Sequence, residues 1–211
     1  MSNVPLKPAP AALKALARRD PVLGRAMKRV PAYPGFPQSG GANSHFHSLA
    51  RTIIYQQLAG NAAATIHDRV RKLTPGPRFP RPEQFARLKD RTIQAAGISR
   101  NKLRALRDLT DRVLDGRLKL RSVARADDAT VIGQLTEIHG IGEWSAQMFL
   151  LFRLGRLDVL PGGDLGVQEG LRRLDGLKKR PTPRELLKRG ECWRPLASVA
   201  TWVLYRLADE E

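Results

Sequence analysis

Between its Pro and Gly breaks, this chain repeats apolar residues at helical spacing, and no stretch alternates apolar and polar residues convincingly enough to make a strand. Residues 99–116, SRNKLRALRDLTDRVLDG, show the pattern most clearly. Ser99 stands where a cap is needed, Leu103, Leu106, Leu109 and Val113 share one face, and Gly116 supplies a stop. The same reading predicts a short helix around Ala11 to Arg19 and another from Ser44, with Leu49, Ile53 and Ile54 as its stripe. That second helix should end near QLAGN, where Gly60 takes a left-handed stop and Asn61 caps AAATIHDRVRKL. A further helix runs through Gln84, Phe85 and Leu88, and Asp127 opens one toward Glu137. Thr182-Pro183-Arg184-Glu185 is a capping box with Pro at the first helical position, and a last helix runs from about Pro195 to Leu207. VPAYPGFPQSGG reads as an irregular connector and residues 1–9 as a loose Pro-rich start. The fold class is all-α.

The 211 residues suffice for one large domain or two small lobes. With 42% apolar residues, disorder along the whole chain is excluded. The 37 Lys and Arg outnumber the 20 Asp and Glu, a formal charge of +17. Such a surplus attracts polyanions, and Arg, which makes up most of it, suits phosphate by its planar fork. A merely soluble basic protein would also satisfy charge alone. Cys192 is the sole cysteine, which excludes an internal disulfide, a four-cysteine zinc site and an iron–sulfur cluster held by this chain's thiolates. His45, His47, His67 and His139 show no paired-ligand spacing. No apolar run reaches bilayer length and the N-terminus lacks a secretion signal's apolar core, so a reducing setting is expected, cytoplasmic with the bacterial nucleoid or nuclear.

Two stretches carry chemistry. LTEIHGIGEWSAQMF sets a His-Gly-Ile-Gly turn between two helices. Gly140 and Gly142 expose backbone amides that no Cβ shields, so the turn can approach a phosphate, while Ile141 points inward and pins it. An ordinary tight helix connection would carry the same glycines. Downstream, Asp164 follows Pro161-Gly162-Gly163 at a place where a helix can begin. Capping alone explains an acid there, and capping is compatible with a second use of the carboxylate.

IHGIGEWSAQMFLLF followed by DVLPGGDLGV resembles the HhH-GPD superfamily of DNA glycosylases, named for a helix-hairpin-helix (HhH), a Gly/Pro-rich loop and a distal aspartate. IIYQQLAGNAAATI and GISRNKLRAL resemble its upstream stretches, and the likeness runs from about Ser44 to Tyr205. Within the superfamily the chain looks most like the alkylbase (3-methyladenine II, AlkA-type) glycosylases. The best-known bacterial form of that type carries an N-terminal β-containing domain, for which this chain is expected to be too short.

The resemblance implies a two-lobed helical fold with a cleft between the lobes. Residues 1–43 are expected to pack on the second lobe, 44–130 to form the lobe carrying the wedge, and 131–211 to form the lobe with the hairpin and Asp164. It implies that Asp164 is the catalytic acid, stabilising the sugar cation that builds as the glycosidic bond breaks. Trp144, Met148 and Tyr205 line the base pocket, where electron-rich rings favour a cationic base. Packing in a core is the alternative use of those rings, and Trp193 and Trp202 are read as packing. His139, Gly140, Ile141, Gly142 and Ser145 bind DNA. Gln57 is the wedge, with Leu58 beside it; the AlkA type inserts an apolar residue, so a glutamine departs from the pattern, and a polar residue on a solvated helix end is the other reading. The backbone carbonyls of Thr136, Ile138 and Ile141 hold a monovalent cation, and no other cofactor is required.

Bifunctional relatives place a nucleophilic lysine just after the hairpin. Here that position is Trp144, and no Lys occurs between Lys119 and Lys178, so an enzyme without strand-nicking activity is expected. The expected partner is duplex DNA with alkylated bases, engaged by a monomer. A glycosylase for deaminated or oxidised bases and a non-enzymatic DNA-binding protein remain the alternatives.

Overall fold

A computed structural model describes residues 6–36, 44–58 and 60–210. Residues 1–5 of the Pro-rich start, 37–43 of the connector and 59 of QLAGN lie outside the described residues. Among the described residues thirteen α-helices form: α1 Pro10–Arg19, α2 Pro21–Arg29, α3 His45–Tyr55, α4 Gly60–Arg71, α5 Pro82–Arg87, α6 Asp90–Ala95, α7 Arg100–Leu114, α8 Leu120–Val123, α9 Asp128–Thr136, α10 Glu143–Met148, α11 Leu165–Leu174, α12 Pro183–Arg189 and α13 Ala197–Asp209. A π-helical segment, Phe149–Leu154, follows α10, and a short 3-10 turn, Gly190–Trp193, follows α12. Among the described residues no strand forms; Leu6 and Phe36 make a single antiparallel pairing. The all-α fold is as the sequence implies.

Caps explain most of the starts. The hydroxyl of Ser44 accepts from His47 N at 3.1 Å, Ser99 from Lys102 N at 3.4 Å, and the Asp127 carboxylate from Thr130 N at 2.9 Å. Thr182 and Glu185 close the capping box reciprocally. Two expectations need correction. The left-handed residue at the end of α3 is Gln57, at φ 55°, and Gly60 is the first residue of α4. The helix expected through Leu88 is α5, which holds Gln84 and Phe85 and stops at Arg87, since Leu88 is extended (φ −71°, ψ 137°). Helix α2, on which the sequence reading was silent, starts at Pro21, its first helical residue, after the Asp20 cap.

The chain divides into two compact units, residues 1–38 with 150–211, and residues 39–149. The boundary expected after residue 130 therefore falls at 149, and the hairpin lies in the second of these units while Asp164 lies in the first. The physical reason is local: α9 and α10 pack on each other, and α8 joins α9 to α3.

In the first unit α11 packs along α13 and both meet α2. Leu23, Leu171, Trp193, Val199 and Leu204 are buried at the centre. Asp20 fastens the N-terminal helices to this core. It caps α2 through Val22 N and Leu23 N at 3.0 Å each, accepts from Trp193 Nε1 at 2.7 Å and pairs with Arg189 at 2.7 Å. In the second unit α7 is the central helix, contacting α3, α5 and α6, with Leu103, Leu106 and Leu109 buried as the stripe requires.

Candidate functional site

Asp164 sits at the N-cap of α11 with φ −79° and ψ 120°, and its Oδ1 accepts from Val167 N at 3.0 Å. The second oxygen is held from α13, where the Tyr205 hydroxyl donates to Oδ2 at 2.9 Å. Two elements thus fix the carboxylate's plane, and 7% of the residue remains exposed. Burial, followed by the Asp164 charge and the hydrogen bond to it, pushes the Tyr205 phenol well above its ordinary range, so it stays a donor. Gly166 keeps the pair close: a Cβ there would lie 3.2 Å from Asp164 Oδ1 and 3.2 Å from Tyr205 Cε1. At Gly163 a Cβ would meet nothing within 4 Å, so the backbone just before the acid is uncrowded.

Beside Tyr205 lies an aromatic group whose importance the sequence did not reveal. Phe152 is 39% exposed and its ring centroid lies 6.4 Å from that of Tyr205. Phe36 packs edge-on against Phe152 at 4.9 Å, and Tyr33 and Trp202 pack edge-on against Phe36 at 5.6 and 6.1 Å. The available signal was Tyr33 and Phe36 themselves, two rings within a Pro/Gly connector in a chain that is only 6% aromatic. Burial raises the Tyr33 hydroxyl to about 12. Trp193 is wholly buried and Trp202 donates its Nε1 to Pro31 O at 2.9 Å, so both pack as expected.

The second group of candidate residues surrounds the hairpin between α9 and α10. Gly140 adopts φ 77°, the left-handed region, and the Ile141 N–H closes the turn on Ile138 O at 3.0 Å. Ile141 is buried as its inward role requires, and Ile138 is buried beside it in sequence. The N–H groups of Gly140 and Gly142 make no hydrogen bond among the described residues, and both glycines are exposed. His139 is exposed, but its N–H is taken by Asp108 Oδ2 at 2.7 Å. The side chain of Ser145 is buried, with its Oγ 3.4 Å from Gln56 Nε2, so it faces the protein. Trp144 is 45% exposed, whereas Met148, one turn on, is buried.

Gln57 and Leu58 form the turn after α3 and both are exposed. The turn is brought to the hairpin through Gln56, whose Nε2 donates to Gly140 O at 2.8 Å. The histidines hold one surprise: His47 and His67 stack, with Nε2 atoms 2.7 Å apart, although their spacing did not suggest a pair. Among the described residues no group of three or more His, Cys, Asp or Glu could hold a metal ion, and no helix is long and apolar enough to cross a membrane.

Residues 50–195 match the family model of the HhH-GPD superfamily base excision DNA repair protein. The chain is 33% identical over 168 residues to DNA-3-methyladenine glycosylase 1 of Schizosaccharomyces pombe, spanning 78% of this chain and 74% of that one. A solved DNA-3-methyladenine glycosidase from Bacillus halodurans superposes with a TM-score of 0.83 at 35% identity, over 95% of this chain and 90% of that one. A 3-methyladenine DNA glycosylase of S. pombe, solved in complex with abasic DNA, gives the same TM-score at 30% identity, over 92% and 95%.

Proposed function

Since this chain belongs to the HhH-GPD superfamily of base excision DNA repair proteins, we propose that it is a DNA glycosylase that removes alkylated purines, 3-methyladenine and 7-methylguanine among them, from duplex DNA. The observation that carries the reading is Asp164, a carboxylate fixed by Val167 N and the Tyr205 hydroxyl next to an unobstructed glycine. A buried negative charge is less screened than one in water, so it stabilises the cation that forms on the deoxyribose more strongly. Water bonds to the anomeric carbon as the carbon–nitrogen bond breaks. The bonding pair leaves with the base, and the water gives up a proton. A purine methylated at a ring nitrogen departs from its cationic form as a neutral molecule, so one acid suffices where glycosidases ordinarily need two.

The remaining residues take the roles that family membership suggests. The exposed amides of the Gly140–Gly142 turn address a phosphate, with His139 flanking them and Ile141 and Ser145 shaping the turn from within. Three neutral carbonyls, from Thr136, Ile138 and Ile141, with no carboxylate among them, suit a monovalent cation better than a divalent one. Ile138 O already accepts from Ile141 N and keeps a second lone pair for such an ion. When bound, the ion would link hairpin to phosphate. Trp144, Met148 and the Tyr205 ring attend the base, and Gln57 with Leu58 fills the space it vacates. The protein acts as a monomer where DNA is, in a bacterial nucleoid or a nucleus. With Trp144 at the position of the lysine nucleophile, it leaves an unbroken abasic strand.

The test is incubation with methylated duplex DNA, with free bases identified by chromatography and the strands sized before and after alkali. Methylated purines should appear and the strand should break only with alkali. Asp164→Asn should slow release by at least about 100-fold, while affinity for the methylated duplex persists or rises. Release undiminished in that variant, or no released base from the wild type, defeats the reading.

A further inference from the structure

The amide of Gln56 joins two loops that come from opposite ends of the second unit's sequence. It is the cap residue of α3, at φ −52° and ψ 132°, and its side chain leaves the turn to reach the hairpin. There it donates to Gly140 O at 2.8 Å and lies 3.4 Å from Ser145 Oγ. The next residue, Gln57, carries φ 55° without being glycine, a conformation that costs about 1 kcal/mol or more and persists only where surrounding contacts over-determine it. Among the described residues, the backbone bond within the turn is long, Leu58 N to Tyr55 O at 3.4 Å. The turn's shape must therefore come largely from outside it.

Helix α7 provides the remaining support, and to both loops. Lys102 Nζ donates to Ile54 O at 2.7 Å, fixing the end of α3, and its burial lowers the ammonium's pKa. Six residues on, Asp108 accepts His139 N at 2.7 Å and is itself held by Arg112 at 3.0 Å. Between them Ala105 touches the hairpin so closely that a Cβ on Gly140 would lie 3.2 Å from its own. Turn and hairpin are thus mounted on one helix and bolted directly to each other by a single side chain.

We propose that Gln56 is a positioning residue, holding the Gln57–Leu58 turn in register with the Gly140–Gly142 hairpin so that the hairpin's grip on a phosphate is transmitted to the turn as base extrusion. The inference rests on the reading of these loops as wedge and grip. Extrusion from a paired duplex needs unstacking energy of a few kcal/mol, which binding elsewhere on the DNA must supply. If wedge and grip shift independently, the grip is made without the wedge entering. A lesion already unpaired needs little of that force.

The discriminating measurement compares one lesion, 7-methylguanine, in a full duplex and in a mismatched bubble. Gln56→Met keeps the length of the side chain and removes the donor. It should slow single-turnover release from duplex by about 10-fold and leave release from the bubble and affinity for abasic duplex within about 2-fold. Gln56→Glu should be no better than Met on duplex, because its carboxylate would face the Gly140 carbonyl. Equal slowing on duplex and bubble would mean a general structural role and overturn the proposal, as would no slowing at all. Extrusion is read without chemistry by the fluorescence of 2-aminopurine at the target position, which should rise less with Gln56→Met than with wild type. If the wild type releases no base yet shows that rise and its loss in the variant, the glycosylase reading fails and the register proposal stands.

Discussion

At Tyr205 two uses of one side chain separate by atom. The ring lies beside exposed Phe152, and the hydroxyl is spent on Asp164 Oδ2. Tyr205→Phe keeps the ring and removes a hydrogen bond to a charged group, which is worth about 1.5–3 kcal/mol. Base release should slow by roughly 10- to 100-fold, and by the same factor for 3-methyladenine and 7-methylguanine, because the hydroxyl addresses the acid and never the base. A loss that differs between the two lesions would assign the hydroxyl to base recognition. Stability carries a second signature. The phenol's pKa is raised by burial and then by Asp164, so the folded state holds its proton more tightly than the unfolded state does. That contribution is complete below pH of about 10, the ordinary tyrosine value, and is lost as pH rises above it. Urea melts at pH 9 and pH 11 should show wild type losing more stability than Tyr205→Phe. Asp164 was legible as a helix cap because Pro-Gly-Gly-Asp before an apolar run is a local signal. The hydroxyl's direction was not, since it depends on how α13 lies on α11, a relation between residues 41 apart in sequence.

Among the elements, the most tightly constrained contact is α11 against α13. A Cβ on Gly170 would lie 2.0 Å from Leu204 O and 2.5 Å from Leu204 C, backbone atoms that no rotamer change can move. Gly170→Ala must push the helices apart, at an expected loss of about 3 kcal/mol. Gly133, inside α9, is the opposite case: nothing lies within 4 Å of its added Cβ, so Ala there should gain about 0.5–1 kcal/mol. Urea unfolding of the two variants checks both signs. Nothing in GVQEGLRRL distinguishes the first glycine from the second, since close approach of a partner helix leaves no mark on the helix's own sequence. The caps at Ser44, Ser99, Asp127 and Thr182 were legible because each acts within three residues of itself. The π-helical segment Phe149–Leu154 was not, because an apolar run such as FLLFRL fits either winding.

Across the whole molecule, charge was the most legible property and the division into units the least. One boundary, at 38–39, falls in the Pro/Gly stretch VPAYPGFPQSGG, but the other passes through apolar residues at 149–150 without such a mark, and residues 1–38 belong with 150–211 through contacts such as Asp20 with Arg189 and Trp193. Some of the arginines are already paired within the fold: Glu169 alone meets Arg172, Arg173 and Arg180, and the hydrogen bonds and charges of Arg172 and Arg173 hold its carboxyl at about 2. The rest of the basic surface attracts DNA as a diffuse field, whereas the hairpin amides and the Gln57–Leu58 turn carry no charge. The two contributions should respond differently to salt. Neutralising about six phosphates would weaken binding by roughly 1000-fold between 50 and 200 mM salt. The ratio of affinities for abasic and undamaged duplex should stay within about 2-fold over the same range, because uncharged contacts release no counterions. Fluorescence anisotropy across a salt series measures both quantities. A ratio that collapses together with the affinity would mean that damage is recognised through the basic surface, and the division of labour between field and hairpin would be wrong.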